Sequence, residues 1–230
     1  MTVSGSGIPV ITIDGPSGSG KGTIARRLAQ SLGMHLLDSG ALYRLVALAA
    51  ARAGKAQGTE PELARIAANL DVRFSTDNAG EEQVWLDGQQ VGPELRTEDC
   101  GLLASKVAAL PMVRNALLGL QKSFREAPGL VADGRDMGTT VFPDAELKVF
   151  LTASAEERAR RRHKQLKDKG IDVSLAALSR DIEDRDRRDS GRAVAPLRPA
   201  DDARVLDSSN LTIDEVTRTV LGWVQELNLR

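Results

Sequence analysis

Cysteine is almost absent. Cys100 is the single one in 230 residues, so no internal disulfide forms and no cysteine-based zinc site can be built. It reads as a small, partly buried apolar residue. Aromatic residues are scarce at 3%, too few for a platform on which successive nucleobases stack. An excess of one charge sign is also missing. Lys and Arg number 31 against 32 Asp and Glu, a net charge of −1, which excludes a polycation that wraps nucleic acid but leaves room for a local basic site. The longest uncharged apolar stretches, such as 45–51, fall far short of the ~20 residues of a membrane span. No Lys or Arg precedes Lys21, so no charged leader of a secretory signal is read. These absences predict a cytoplasmic protein with no membrane partner.

What is present is an alternation of short β-rich runs and amphipathic stretches. Val10-Ile11-Thr12-Ile13 closes at the turn Asp14-Gly15-Pro16, and Ile24, Leu28 and Leu32 then recur at helical spacing. Leu36-Leu37 leads into Asp38-Ser39-Gly40, and a further helix is predicted to about Ala53. Leu130-Val131-Ala132, 147–151 and Arg204-Val205-Leu206 read as further strands. Ile213, Val216, Val220, Trp223 and Leu227 step by three and four, as in a closing helix. The order predicts an α/β fold, a parallel sheet flanked by helices. Two stretches break the rhythm. Residues 71–74 and 83–86, around a polar turn Asp77-Asn78-Ala79-Gly80, predict a small antiparallel insert. Residues 154–192 hold 12 Lys and Arg and 9 Asp and Glu with few large apolar residues, and predict a solvated helical segment.

Between the first strand and first helix runs Gly15-Pro16-Ser17-Gly18-Ser19-Gly20-Lys21-Gly22-Thr23, the placement of a phosphate-binding P-loop. Glycines let the backbone amides turn inward, the helix N-terminus adds positive potential, and Lys21 supplies a point charge to β- and γ-oxygens. Gly22 stands where Ser or Thr commonly ligates magnesium, and Thr23 comes one position later. A Mg²⁺ held by ATP oxygens and water follows, since that ion readily keeps its waters. Asp133, ending an apolar strand, is a candidate to orient such water. Asp14 stands in a similar position.

Three other clusters accompany the loop: Asp38 to Arg44, Asp133 to Gly138, and Arg185 to Arg192 with Ala193-Val194-Ala195-Pro196. Arg185, Asp189 and Arg192 are spaced i, i+4, i+7 and share a face if the helix runs through Ser190-Gly191. By themselves they would read as a surface ion-pair ladder.

In sequence order the chain carries Asp14-Gly-Pro-Ser-Gly-Ser-Gly-Lys-Gly-Thr23, Leu36-Leu-Asp-Ser-Gly-Ala-Leu-Tyr-Arg44, Asp133-Gly-Arg-Asp-Met-Gly-Thr139 and Arg192-Ala-Val-Ala-Pro-Leu197. With these motifs it resembles the bacterial cytidylate kinase family, nearly end to end and only loosely over 53–95. The resemblance implies a P-loop kinase core (1–38, 96–153 and 193–230), a CMP-binding region with the β insert (39–95) and a lid (154–192). It implies Ser39 and Arg44 at the CMP site, with Arg44 on the phosphate. Ser105, Arg114 and Asp136 would read the cytosine edge, Arg135 and Arg192 would hold the CMP phosphate, and Arg185 and Asp189 would contact the sugar. Lys21, Arg135 and Arg192 would be the catalytic cations.

Base chemistry agrees: cytosine offers an N4 amine donor beside the N3 and O2 acceptors, which suits a carboxylate paired with an arginine. The expected reaction moves the γ-phosphoryl of ATP to CMP or dCMP in a monomeric enzyme that needs no nucleic acid. The acceptor is already an anionic phosphate oxygen, so neither His35 nor His163 is required as a base. Of the basic run Arg158, Arg160, Arg161, Arg162, His163 and Lys164, one or two arginines are expected to point inward. The competing readings are a P-loop kinase for another small acceptor, and a nucleotide-gated nucleic-acid-binding module.

Overall fold

Five consecutive residues, Val10–Asp14 (β1), are all buried, as befits a central parallel strand covered on both faces. In the computed structural model, which describes residues 7–76, 82–168, 170 and 172–229, β1 lies between two parallel neighbours, Leu130–Gly134 (β6) and Leu147–Thr152 (β7). His35–Asp38 (β2) flanks β6 and Arg204–Asp207 (β8) flanks β7, giving the five-stranded order β2-β6-β1-β7-β8. β2 is one strand more than the sequence reading marked. Its four residues alternate neither β-branched nor apolar side chains, and its ladder with β6 is what makes it a strand.

Period-2 alternation sends Ile11, Ile13, Val131, Leu147, Val149 and Leu151 to one face. There they meet Ile24 and Leu28 of Lys21–Leu32 (α1) and Val216, Val220 and Val224 of Ile213–Glu226 (α9) in one core. Gly33, in the left-handed region at φ 66°, ends α1 with its amide on the Ala29 and Gln30 carbonyls. Thr212 begins α9: its hydroxyl accepts from the Glu215 amide while the Glu215 carboxylate accepts from the Thr212 amide. On the opposite face, a π-helical turn, Met137–Val141, follows β6 and packs on β1.

The chain divides into two compact units, Met1–Asp38 with Lys122–Arg230, and Ser39–Gln121. The second contains Ser39–Arg52 (α2), Glu60–Ala68 (α3), a three-stranded antiparallel sheet of Val72–Thr76 (β3), Glu82–Leu86 (β4) and Gln89–Gln90 (β5), then Gly92–Leu95 (α4), Glu98–Val107 (α5) and most of Pro111–Ser123 (α6). The β insert is present where it was expected, with β5 as an added strand of two exposed glutamines that carries no apolar signal. The turn Asp77-Asn78-Ala79-Gly80 lies outside the described residues. The unit boundary differs from the sequence reading in that 96–121 falls with 39–95, because α5 packs along α2. The first unit keeps 154–192, where Ala155–Asp168 (α7) packs on Leu175–Ser190 (α8). No single described helix is long and apolar enough to cross a membrane.

The core gives a direct test. Leu28 is fully buried between α1 and the sheet, whereas Leu102 on α5 is 51% exposed. Leu28→Ala is expected to cost about 2–5 kcal/mol through lost burial and a residual cavity. Leu102→Ala is expected to stay within about 0.5 kcal/mol. Urea denaturation of both variants measures the contrast.

Candidate active site

The phosphate loop is built by close approach. Gly15 sits at φ +155°, and a Cβ there would lie 2.0 Å from the Leu151 carbonyl oxygen, so no side chain fits where the loop leaves β1 beside β7. Gly20, at φ 93°, turns the loop into α1, and its carbonyl accepts from the Thr23 and Ile24 amides. Lys21 is the first residue of that helix. Its side chain is buried, and Nζ donates to the Pro16 carbonyl at 3.2 Å. Ser19 is buried with its hydroxyl unpartnered among the described residues. Its carbonyl accepts from Arg161 (3.3 Å) and from the Ser208 hydroxyl (3.2 Å). Arg158 donates to the Ser17 carbonyl at 3.0 Å and forms a two-pronged pair with Asp186 of α8.

Two arginines of the basic run therefore face the loop, while Arg160 is exposed on α7 beside Glu156. The run pointed to this helix without saying which arginines turn inward. Ser208 and Asp186 had no signal in the sequence, because their roles come from where β8 ends and how α8 packs.

β6 brings Asp133 to the same strand ends. A Cβ on Gly22 would stand 3.1 Å from Asp133 Oδ2, so the carboxylate faces the loop position that lacks a hydroxyl. Asp133 Oδ1 is buried with no hydrogen-bond partner among the described residues. Burial pulls the Lys21 ammonium below the ordinary lysine range and the nearby Arg135 charge adds to the pull, while Asp133 opposes it. Asp133 moves the other way: burial raises its carboxyl, and the Lys21 charge restrains the rise. Arg185 and Asp38 contribute to the same field. Among the described residues no three His, Cys, Asp or Glu side chains converge as a metal cage. A lone hard oxygen donor with an open lone pair fits a magnesium ion that keeps most of its waters.

The segment after β6 carries Arg135 and the buried Asp136. Arg135 Nε donates to Asp189 Oδ2 at 3.0 Å, and Arg192 donates to Asp189 Oδ1. Asp189 is wholly buried. Burial by itself would raise its pKa, but the Arg135, Arg192 and Arg185 charges overcome that and hold the carboxyl below its ordinary range. The helical-face arithmetic holds for Arg185 and Asp189 only. α8 ends at Ser190 with Gly191 as its cap, and Arg192 reaches Asp189 from beyond the helix. The three residues do not form a surface ladder, because Asp189 is the shared buried counter-ion of two arginines from separate segments.

The second unit holds the remaining expected residues. Ser39, buried, opens α2. Arg44 donates to the Leu95 carbonyl at 2.7 Å, and a Cβ on Gly101 would come within 3.1 Å of its guanidinium. Ser105 is buried, and its hydroxyl has no hydrogen-bond partner among the described residues. Arg114 is buried, donates to the Ala108 carbonyl at 3.1 Å and lies 5.8 Å from the Tyr43 ring centroid. Thus Ser39, Arg44, Ser105 and Arg114 belong to one unit, and Arg135, Asp136, Arg185, Asp189 and Arg192 to the other.

The Asp189 pairing sets a stability expectation. Asp189→Ala leaves Arg135 and Arg192 without their buried counter-charge and is expected to cost about 3–5 kcal/mol. Glu156→Ala, which breaks the exposed pair with Arg160, is expected to cost less than about 1 kcal/mol. The Asp189 contribution is present above the ordinary Asp pKa and is lost as pH falls through its lowered folded value. Denaturant titrations at neutral and acidic pH read both effects.

Comparison with known proteins agrees with the geometry. The family profile described as cytidylate kinase matches residues 11–226. The cytidylate kinase of Nitrosococcus oceani is 58% identical over 222 residues, covering 96% of this chain and 98% of that protein. The cytidylate kinase of Pseudomonas aeruginosa is 59% identical over 223 residues, covering 94% and 97%, and that of Methylococcus capsulatus is 58% identical over 218 residues, covering 95% and 97%. A phosphate loop, a neighbouring strand that runs through Asp133-Gly134 into Arg135-Asp136, and 58% identity over nearly the full length of such a protein converge on one conclusion: the chain belongs to the cytidylate kinase family.

Proposed function

We propose that this chain transfers the γ-phosphoryl group of ATP to the 5′-phosphate of CMP or dCMP, giving ADP and CDP or dCDP. The observation that carries the proposal is the gathering at the phosphate loop of the buried Lys21 and of Asp133, which faces Gly22, with the Arg135 charge near Lys21. Positive charge gathered in a buried region marks a site that must receive anions. Two polyanions meeting end to end are such a requirement.

The assigned roles follow from the groups present. The loop Gly15, Pro16, Ser17, Gly18, Ser19, Gly20, Lys21, Gly22 and Thr23 cradles the ATP phosphates. Lys21, Arg135 and Arg192 neutralise charge as it spreads over the transferring group, a task for which an arginine contributes roughly 10³–10⁵ in rate in related transfers. Arg44 serves the acceptor phosphate, Ser39 the acceptor site beside it, and Arg185 and Asp189 the sugar. Ser105, Arg114 and Asp136 read cytosine, and the unpartnered Ser105 hydroxyl supports a polar ligand there. Asp133 holds Mg²⁺ through water; when bound, the ion supplies positive charge to the ATP phosphates. The acceptor oxygen is already ionised, so the protein positions and neutralises rather than removing a proton. We assign 154–192 as the lid, supported by the reach of Arg158 and Arg161 to the phosphate loop. We propose the cytoplasm as the compartment, with the enzyme acting as a monomer on free nucleotides and no nucleic acid or membrane involved.

Two experiments test this. Lys21→Ala is expected to lower turnover at least about 100-fold while the protein stays folded by circular dichroism. Near-normal turnover in that folded variant rejects the phosphate-cradle assignment. An acceptor panel of CMP, dCMP, UMP, AMP and shikimate with ATP is expected to single out the cytosine nucleotides. Asp136→Asn should then lower the CMP-over-UMP preference by about tenfold or more, since uracil no longer faces a carboxylate. An unchanged ratio rejects the base-reading role.

A further inference from the structure

Asp14 is a buried carboxylate to which the mechanism above gives no task. It ends β1, immediately before Gly15 opens the phosphate loop. Its two oxygens are both engaged: Oδ1 accepts from the Met137 amide and Oδ2 from the Gly138 amide, each at 2.8 Å. Those amides start the π-helical turn Met137–Val141. The bonds of that turn run backward from Val141 to the Asp136 carbonyl (3.3 Å) and from Phe142 to the Met137 carbonyl (2.7 Å). The first amides of such a turn have no partner within it. On its other side the turn is confined, because a Cβ on Gly138 would come within 2.9 Å of Thr12 Oγ1 and 3.2 Å of Lys148 Cδ. The residues just before the clasped amides are Arg135 and Asp136.

We propose that Asp14 is a positioning residue for the acceptor nucleotide: by clasping the Met137 and Gly138 amides it fixes the backbone from which Arg135 and Asp136 project, and ties that segment to the strand entering the phosphate loop. The inference rests on the base and phosphate roles assigned above to Asp136 and Arg135. Only a carboxyl group serves both amides, because in its ionised form it presents two acceptor oxygens and no donor. Asparagine would meet one of the two amides with its own NH₂ group. Serine and threonine are too short to span both. The pair of bonds also restricts rotation of the peptide between Met137 and Gly138, and a misplacement of about 1 Å in a reacting group costs on the order of 10²-fold in rate.

The test compares the full-length protein with Asp14→Asn. In steady-state kinetics the variant should raise KM for CMP and lower the CMP-over-UMP preference, each by about tenfold, with KM for ATP within about twofold. A purely structural role would lower the melting temperature and leave the kinetics of the folded enzyme unchanged, and that result overturns the proposal. Native-state hydrogen exchange without nucleotide supplies the second measurement. The Met137 and Gly138 amides of the unaltered protein should exchange as slowly as the β1–β6 ladder, and more slowly still when CMP alone is added. Exchange at the rate of open loops, or no response to CMP, overturns the proposal even if Asp14→Asn fails to fold. An unaltered protein that protects these amides yet shows no CMP-over-UMP preference would instead reject the base reading, so the two failures are told apart.

Discussion

Three adjacent parallel strands, β2, β6 and β1, carry carboxylates at their C-terminal ends: Asp38 and Asp14 are the last residues of β2 and β1, and Asp133 is the last but one of β6, directly opposite Asp38 in the ladder. Parallel pairing forces their carboxyl ends to one edge of the sheet, where ligands of open α/β sheets bind. Carboxylates crowded into a poorly solvated region repel, and burial with the Asp136 and Asp133 charges drives the Asp14 pKa up to about 7 against its two amide bonds. The arrangement is balanced because Lys21 and Arg135 enter the same space from α1 and from the end of β6.

The counter-ions are distributed unevenly. Asp189 takes both Arg135 and Arg192 and so orients two guanidinium groups from different segments with one carboxylate. Asp186 binds both prongs of one guanidinium, that of Arg158, which in turn holds the Ser17 carbonyl. Two acidic residues one helical turn apart on α8 thus act on separate clusters, one beyond β6 and one on the outer side of the phosphate loop. Apart from Thr12 Oγ1, which lies beside Gly138, the Ser19 and Ser105 hydroxyls and one Asp133 oxygen are buried and unpartnered among the described residues. Buried polar atoms are rarely left so, and all three belong to the sets assigned here to nucleotide or magnesium.

Much of this was legible beforehand. The phosphate loop is a local object: its glycines, lysine and strand-to-helix setting lie within fourteen residues of chain, Val10 to Thr23, and local spacing suffices to read it. The same holds for α1 and α9, whose apolar stripes repeat every three to four residues, and for the β-branched run of β1. β2 was missed because His35 and Asp38 bracket only two leucines, and β5 because two glutamines carry no pattern. Arg185, Asp189 and Arg192 share one face only if the helix runs through Ser190-Gly191, a condition that spacing by itself leaves open. The chain breaks the helix at Gly191 and still delivers Arg192, since a long flexible side chain reaches a buried carboxylate from outside the helix.

By itself the sequence determined the fold class, the phosphate loop and the residue types that surround it, because hydrophobic period and glycine placement act over a few residues. Tertiary structure alone decided which arginines of the basic run turn inward, that Asp189 is shared, and that Asp14 grips the turn after β6. Those outcomes depend on atoms distant in the chain, 54 residues apart for Arg135 with Asp189 and 124 for Asp14 with Gly138. Only folding of the sheet brings such atoms within hydrogen-bonding range, and the energy of a buried charge depends on every neighbour that folding supplies.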